Sequence, residues 1–366
     1  MKPIITPGER VVRCLIGEPV DHVPFGIGIG WAPWGETLMR WQAESGKPDL
    51  DVARELGFDI GFLGAPVQLG FCPGFEHQVV RDEGDLVVYR DSRGILMRGR
   101  KDGGSIPEFI EYPVCSSTDW ARLKATRLNP DDPARWEGAD WPAFRQQIKS
   151  LGAAVQVGTF PYGFFGTPRD LMGVEELSVG FYESPELIRE IINHLATVWL
   201  SVYEQASRQV QIDHIHIWED MSGRQGSLLS PVMVEEFMMP AYDRIASFAQ
   251  SHGVRLISVD TDGDCSELVP VMMKHGINMF FPFEVQAGND VRAYRQQYPE
   301  LGIVGGLDKR ALAVGPEAID REVDRARDMV REGRYVPAFD HLIPPDVSWV
   351  NFKYAAEKIR EVCHSV

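Results

Sequence analysis

The stretch VRLISVDTDGD, residues 254–264, shows the pattern that decides the fold, a short apolar run that ends in carboxylates. An apolar run of this length bounded by turn residues is typical of a buried strand. The pattern recurs at residues 212–220, 277–284, 301–310 and 335–341. The segments between these runs are long enough for one helix each, so the repeating unit is a strand followed by a helix.

Extended along the whole chain, this alternation predicts an α/β fold, a (β/α)8 TIM barrel that spans residues 1–366 as a single domain. Residues 66–150 interrupt the rhythm with short alternating runs around turn residues, which indicate a small antiparallel β insertion after strand 2. This insertion should lie over or beside the mouth of the barrel and shape substrate access. The eight strands are predicted at residues 23–30, 59–64, 153–160, 213–218, 255–260, 278–283, 302–307 and 335–339.

Charge and cysteine content narrow the class of protein. The formal net charge of −16 argues against nucleic acid and anionic membrane as partners, because both need a basic surface. The five cysteines lie far apart and form no CxxC pair, which suits a reducing compartment. No apolar run is long enough for a signal peptide or a membrane span, so we expect a cytoplasmic protein.

The ionisable residues at the predicted strand ends are the candidate catalytic groups. All strand C-termini of a barrel meet at one mouth, so these side chains should converge there. They could act as acid and base, hold a divalent metal, form a salt network with Lys309, or cap the following helices. The metal ligands would be Asp260, Asp262 and His341. The catalytic candidates are Asp262, His341, Glu284, Asp308 and Arg310.

Aromatic residues follow several predicted strands in glycine-containing loops. Aromatic residues are usually part of the core, but this loop context suggests a flat apolar wall for a small organic substrate. By contrast, His214 and His216 are expected to be lumen imidazoles hydrogen-bonded to a neighbouring carboxylate. The predicted substrate-binding residues are Trp31, Trp34, Phe160, Tyr162, Trp218 and Asp220.

Residues 9–24, ERVVRCLIGEPVDHVP, resemble the opening segment of the uroporphyrinogen decarboxylase superfamily. Leu229-Ser230-Pro231, residues 305–308 and residues 340–346 resemble its later motifs, so the resemblance covers nearly the whole chain. It implies a (β/α)8 barrel. It also implies either a haem-pathway decarboxylase or a cobamide-dependent methyltransferase, in which zinc activates the methyl acceptor.

Two departures from the family pattern bear on the reaction. The decarboxylases carry an arginine-rich loop after the first strand that binds the porphyrinogen carboxylates, whereas residues 28–35 contain no arginine. The thiol-methylating enzymes hold zinc with His-x-Cys and a later Cys, where this chain has Asp260-x-Asp262 and His341. His341 also falls where the decarboxylases have a histidine. Cysteine-bound zinc therefore does not carry over, and an oxygen-rich metal site or a proton-transfer site suits a small oxygenated substrate better.

The sequence therefore predicts a methyltransferase-like enzyme, more similar to the cobamide-dependent members than to the true decarboxylases. It would move a methyl group between a small organic molecule, for example a methoxylated one, and a corrinoid supplied by a partner protein. Zinc or another divalent metal is the expected cofactor, and a homodimer the expected assembly. The alternatives are a uroporphyrinogen decarboxylase or related decarboxylase, and a non-catalytic barrel that binds small molecules.

Overall fold

The computed structural model describes residues 5–102 and 106–365, in which strands and helices alternate along the chain. The strands are β1 Phe62–Gly64, β2 Gln78–Glu83, β3 Leu86–Arg90, β4 Leu96–Arg100, β5 Glu108–Glu111, β6 Ala154–Val157, β7 His214–Trp218, β8 Ser222–Gly223, β9 Gly226–Ser227, β10 Leu256–Thr261, β11 Met279–Pro282, β12 Gly302–Val304 and β13 Tyr335–Val336.

The helices of the same residues fill the segments between strands. They are α1 Pro7–Ile16, α2 Gly35–Ser45, α3 Val52–Leu56, α4 Ser117–Arg127, α5 Trp141–Leu151, α6 Gly166–Met172, α7 Val174–Glu183, α8 Pro185–Ser207, α9 Pro231–Met233, α10 Met239–His252, α11 Leu268–Lys274, α12 Val291–Gln297, α13 Arg310–Val314, α14 Pro316–Glu332 and α15 Trp349–Cys363. None of these helices is both long and apolar enough to cross a membrane.

Seven strands pair in parallel, in the order β1-β6-β7-β10-β11-β12-β13. The order follows the chain, as expected when each strand is followed by a helix that returns the backbone to the same edge. The sheet curls into a half-barrel with a TIM-like architecture, which confirms the predicted α/β fold. Because all seven strands run the same way, their carboxyl ends lie along one edge.

The prediction of a first strand at residues 23–30 is wrong. In the structure this segment has no strand and ends in a short 3-10 helix, Ile29–Trp31. Gly26 and Gly28 adopt φ of 81° and 107°, a left-handed conformation that interrupts an extended strand. The backbone N–H of Asp59 donates to the Phe25 carbonyl, so the segment lies beside the sheet without joining its ladder. Within residues 5–102 and 106–365 the hydrogen-bonded sheet therefore has seven strands, not the eight of a closed barrel.

The predicted antiparallel meander is present as a four-stranded sheet in the order β2-β3-β4-β5. In the chain it lies between the parallel strands β1 and β6. Its fourth strand, β5, was not predicted, because a four-residue exposed segment carries no clear alternation. Val88, Ile95 and Met97 are buried within this sheet and its turn, apart from the core that joins the parallel sheet to its helices.

Candidate active site at the carboxyl edge of the sheet

The register of the central strands brings three strand ends level with one another. Asp260 at the end of β10 pairs with Trp218 of β7 on one side and with Phe281 of β11 on the other. Side chains alternate along a strand, so Ser258, Asp260 and Asp262 share one face. This face points to the interior of the curled sheet, because the Ser258 hydroxyl lies 2.7 Å from His214 and 3.0 Å from His216.

Asp262 and His341 form the pair that the sequence predicted at the mouth. The His341 Nε2 lies 3.3 Å from the Asp262 Oδ2, although the two residues come from opposite ends of the predicted site, after β10 and β13. Burial disfavours the imidazolium, but the hydrogen bond and the charge of Asp262 outweigh it, so the pKa of His341 is raised. His341 therefore keeps its proton to a higher pH than an unperturbed histidine does.

Lys309 joins two further carboxylates beside this pair. Its ammonium lies 3.7 Å from Glu284 and 3.6 Å from Asp340. Asp340 is fully buried and also accepts from the backbone N–H groups of Val285 and Lys309. Burial raises the pKa of Asp340, opposed by the charge of Lys309. Glu284 accepts from the Gly263 N–H, which ties this network to the loop that carries Asp262.

Asp260 is the mouth carboxyl without a partner. Its side chain is half-buried and forms no hydrogen bond or ion pair with the residues that the structure describes. Burial, together with the neighbouring charges of Asp262 and Asp220, raises the pKa of Asp260 well above its ordinary value. A carboxyl in this environment holds its proton to a higher pH than an exposed one and, while protonated, can donate that proton to a bound molecule.

Asp220 is held beside Asp260 by a strained backbone and a cation. It adopts a φ of 43°, and its N–H donates to the Asp260 carbonyl at 3.1 Å. Its carboxylate lies 2.8 Å from the Arg169 guanidinium, which also stacks over Trp218 with 4.7 Å to the ring centroid. A non-glycine residue at positive φ persists only where surrounding contacts fix it, and such residues are frequent at functional sites.

The predicted aromatic wall is only partly assembled at this edge. Trp34 is 40% exposed with its ring 6.4 Å from that of His341, and Phe160 is 58% exposed against Trp218. Tyr162 faces a neighbouring cavity. Trp31 lies in the core, not on the wall, since it is only 2% exposed and its indole N–H donates to the Pro337 carbonyl.

Asp308 and Arg310 pair with each other. The guanidinium of Arg310 lies 2.6 Å from Asp308 and is largely exposed, whereas the Asp308 N–H donates to Glu322 of α14. Burial opposes ionisation, but the hydrogen bonds from Arg310 hold the pKa of Asp308 below its usual range. This pair lies on the helix side of the strand end, and no contact joins it to Asp260, Asp262 or His341 in the described chain.

The two interior histidines lie below the mouth. His214 Nδ1 lies 3.0 Å from the side chain of Gln156, and both imidazoles contact Ser258, so their partners are uncharged and not the expected carboxylate. Burial lowers the pKa of His216 to about 4 and that of His214 well below its ordinary value. Both rings are therefore neutral lumen residues.

Glu219 and Arg169 have roles that the sequence analysis missed. Glu219 is fully buried, accepts from the backbone N–H groups that open α6, at residues 164–166, and from the Tyr242 hydroxyl at 2.5 Å. It thus fixes the helix that carries Arg169. Gly163 permits this approach, because a Cβ there would meet the Trp218 carbonyl oxygen at 1.8 Å. The sequence shows the adjacent Glu219-Asp220 pair at the end of a strand. It does not indicate which groups each of the two residues contacts.

The donor set at the mouth does not fit a metal ion as arranged. Within the described residues, no three His, Cys, Asp or Glu side chains stand together in a way that could hold one. Asp262 and His341 are instead turned toward each other. The metal site at Asp260, Asp262 and His341 stays a prediction.

Comparison with known proteins places this arrangement in context. The profile of the family described as Uroporphyrinogen decarboxylase (URO-D) matches residues 75–362. A curated Rhodococcus erythropolis protein named uroporphyrinogen decarboxylase is 24% identical over 320 residues, which cover 80% of this chain and 82% of that protein. Among solved structures, a methyltransferase from Methanosarcina mazei matches with a TM-score of 0.61 and 18% identity over 98% of this chain and 99% of that chain. At that identity the structural match shows the fold alone.

Proposed function

Because the chain belongs to the uroporphyrinogen decarboxylase family, we propose that it is a methyltransferase-like enzyme that moves a methyl group between a small methoxylated molecule and a corrinoid protein. The observation that carries this proposal is the partnerless carboxyl of Asp260 beside the Asp262–His341 pair. Cleavage of a methyl ether leaves an oxygen that must take up a proton, and a protonated carboxyl at the mouth can supply it.

The side chains near His341 also favour a neutral substrate over one with many carboxylates. The residue of the 28–35 loop that approaches His341 is Trp34, and its backbone N–H is fixed by the Ile343 carbonyl at 3.1 Å. Asp220, Asp262 and Glu284 line the same edge, so a polyanion would meet repulsion. An aromatic ring against Trp34 would meet none.

In the proposed reaction the residues of this chain bind the substrate and move one proton. Trp34, Phe160 and Trp218 would pack against the organic part. As the carbon–oxygen bond breaks, its electron pair goes to the oxygen, which takes the Asp260 proton. The Asp262–His341 pair can return a proton to Asp260 for the next turnover. A corrinoid, when bound, supplies the nucleophile that accepts the methyl group.

The wild-type protein should be tested with both reactions that occur in the family. Incubated without oxygen with methoxylated aromatics and chemically reduced cobalamin, it should form methylcobalamin and the demethylated product in equal amounts. His341→Ala should lower the rate at least a hundredfold. Asp264→Asn is the matched control. Among the described residues, the Asp264 side chain accepts only from the Ser266 N–H on the same loop, which an amide oxygen can still do.

Decarboxylation remains the second candidate, because the Rhodococcus erythropolis relative carries that name. The family resemblance also implies that the decarboxylases have a histidine where His341 falls. The same enzyme incubated with uroporphyrinogen should give no decarboxylated product at an enzyme-like rate. Accumulation of decarboxylated porphyrinogens, abolished in His341→Ala and retained in Asp264→Asn, would replace the methyl-transfer proposal with this one. Turnover in neither assay would favour a binding protein.

A further inference from the structure

A second cavity lies beside the loop that follows β6, between the turn that joins β3 to β4 and the helices α6 and α8. Its volume is about 380 Å³, within the range of sites that hold a small organic molecule. It is enclosed by residues 68–74 after β1, by the turn between β3 and β4, and by the start of α6. Asp260, Asp262 and His341 do not line it, so it is distinct from the candidate active site.

The walls of this cavity are mostly apolar and are held in place by the fold. Leu69, Leu171 and Leu195 are buried residues of the core, and Phe71 supplies an aromatic face. The loop that carries Leu69 and Phe71 is fixed by the buried guanidinium of Arg135, which donates to the carbonyls of residues 68 and 70. The cavity therefore exists before a ligand binds, which reduces the entropic cost of binding.

The charged residues that line the cavity compensate one another. Arg93 lies 2.6 Å from Asp170 and 2.6 Å from Asp91, which also accepts from the Arg93 backbone N–H. Burial raises the pKa of Asp170 despite its contact with Arg93. With its guanidinium already occupied on two sides, Arg93 offers no free positive charge to an anion, and a cation would have to compete with Arg93 for the same carboxylates.

One hydroxyl in the wall has an unused hydrogen. The Tyr162 hydroxyl lies against Gly70, where an added Cβ would meet its oxygen at 2.7 Å, and it donates to no acceptor in the part of the chain that the structure describes. A half-buried donor of this kind favours a ligand that carries an acceptor oxygen. An ether or hydroxyl oxygen on an otherwise apolar molecule meets this requirement.

We propose that this cavity binds a neutral single-ring aromatic molecule, whose ring packs between Phe71 and the leucines and whose oxygen substituent accepts from Tyr162. The Arg93–Asp170 ion pair closes the cavity by fixing the inserted sheet against α6. The proposal does not depend on methyl transfer, because it concerns occupancy and not turnover.

Calorimetric titration with 4-methoxyphenol tests the binding and the selectivity. The wild-type protein should bind it at least tenfold more tightly than 4-methoxybenzoate, an anion of similar shape. Gly74→Phe places a ring at the cavity rim, where a Cβ has only ordinary contacts, and should weaken binding at least tenfold. Gly138→Phe adds the same ring in open space away from the cavity and should leave the affinity unchanged. Equal affinity for the anion, or unchanged binding in Gly74→Phe, would overturn the proposal.

Cysteine alkylation reports where the ligand sits. Cys72 lines the cavity and is half-buried, whereas Cys115 is exposed outside it. Saturating 4-methoxyphenol should slow the alkylation of Cys72 by N-methylmaleimide at least fivefold, read by peptide mass spectrometry, and leave Cys115 unaffected. An unchanged Cys72 rate, or equal slowing of both cysteines, would place the ligand elsewhere and contradict the proposal.

Discussion

At the scale of single residues, Asp260 is the side chain on which the proposed chemistry depends most. The sequence placed it at a strand end among other carboxylates but assigned it to a metal site. Asp260 differs from the other carboxylates because its side chain has no hydrogen-bond or ion-pair partner within the described chain. Such partners depend on tertiary packing, which the spacing of residues along the sequence does not reveal. The sequence could predict most of the residues that reach the mouth, because strand ends of a parallel sheet must meet there. It did not predict that Asp308 and Arg310 pair with each other away from the mouth.

Asp260→Asn should stabilise the protein at neutral pH while it abolishes activity. The folded-state pKa of Asp260 is raised, so the stability linked to it is fully present below the unfolded value of about 3.9 and is lost as pH rises through the folded value. The amide of the Asp260→Asn variant does not titrate, so the variant does not lose this stability as pH rises. We expect a melting temperature about 3 °C above wild type at pH 7 and equal values near pH 4. A variant that melts well below wild type at pH 7 would make Asp260 a structural residue.

Asp262→Asn should shift the pH dependence of catalysis to lower pH. The carboxylate of Asp262 raises the pKa of His341, so the imidazolium persists above the pH at which a free histidine loses its proton. Stability contributed by this pair is complete below the unfolded pKa of about 6.5 and is lost as pH rises through the folded one. The alkaline limb of the pH–rate profile should therefore move toward acid in Asp262→Asn. An unmoved limb would show that another group controls it.

At the scale of secondary-structure elements, the strands and helices were more predictable than their contacts. Buried parallel strands are continuous apolar runs, which is why β7, β10 and β11 were found within a few residues. The 23–30 segment has the same composition, but Gly26 and Gly28 turn it out of the ladder. The apolar composition of a segment indicates that it is buried. Pairing with a neighbouring strand also requires a backbone that stays extended.

The anchoring of α6 by Glu219 can be tested directly. Glu219→Gln leaves one acceptor oxygen and turns an amide N–H₂ toward backbone donors, so we expect a loss of about 2–4 kcal/mol of unfolding free energy. Tyr242→Phe removes one of the four hydrogen bonds and should cost about 1 kcal/mol. Urea denaturation measures both variants. If Glu219→Gln were as stable as wild type, the carboxylate would not be what holds the start of this helix.

The inserted sheet should be separable from the parallel sheet. Val88, Ile95 and Met97 bury one another within it, and its turn is joined to α6 through Arg93 and Asp170. Replacing residues 77–110 by a short Gly-Ser linker, together with Asp170→Asn to avoid an unpaired buried carboxylate, should leave a cooperative melt and a normal far-UV circular dichroism spectrum. Loss of the cooperative transition would show that the insertion is part of the core, contrary to its predicted role in substrate access.

At the scale of the whole molecule, the half-barrel explains why distant parts of the chain form one site. Asp262 and His341 are 79 positions apart (341 minus 262) and lie in contact because β10 and β13 end at the same edge. The overall architecture and the family could be predicted from the sequence, since both rest on repeated patterns. The second cavity could not be predicted, because its walls come from five separate segments of the chain and no local sequence pattern indicates how these segments pack together.

The central claim is that Asp260 donates the proton when the methyl group leaves its oxygen. The most direct measurement is a single turnover with enzyme in excess over a methoxylated aromatic substrate and reduced cobalamin, followed by methylcobalamin absorbance. The claim predicts that Asp260→Asn binds the substrate as wild type does but forms methylcobalamin at least a hundredfold more slowly, whereas Asp264→Asn keeps the wild-type rate. A wild-type rate in Asp260→Asn would contradict it.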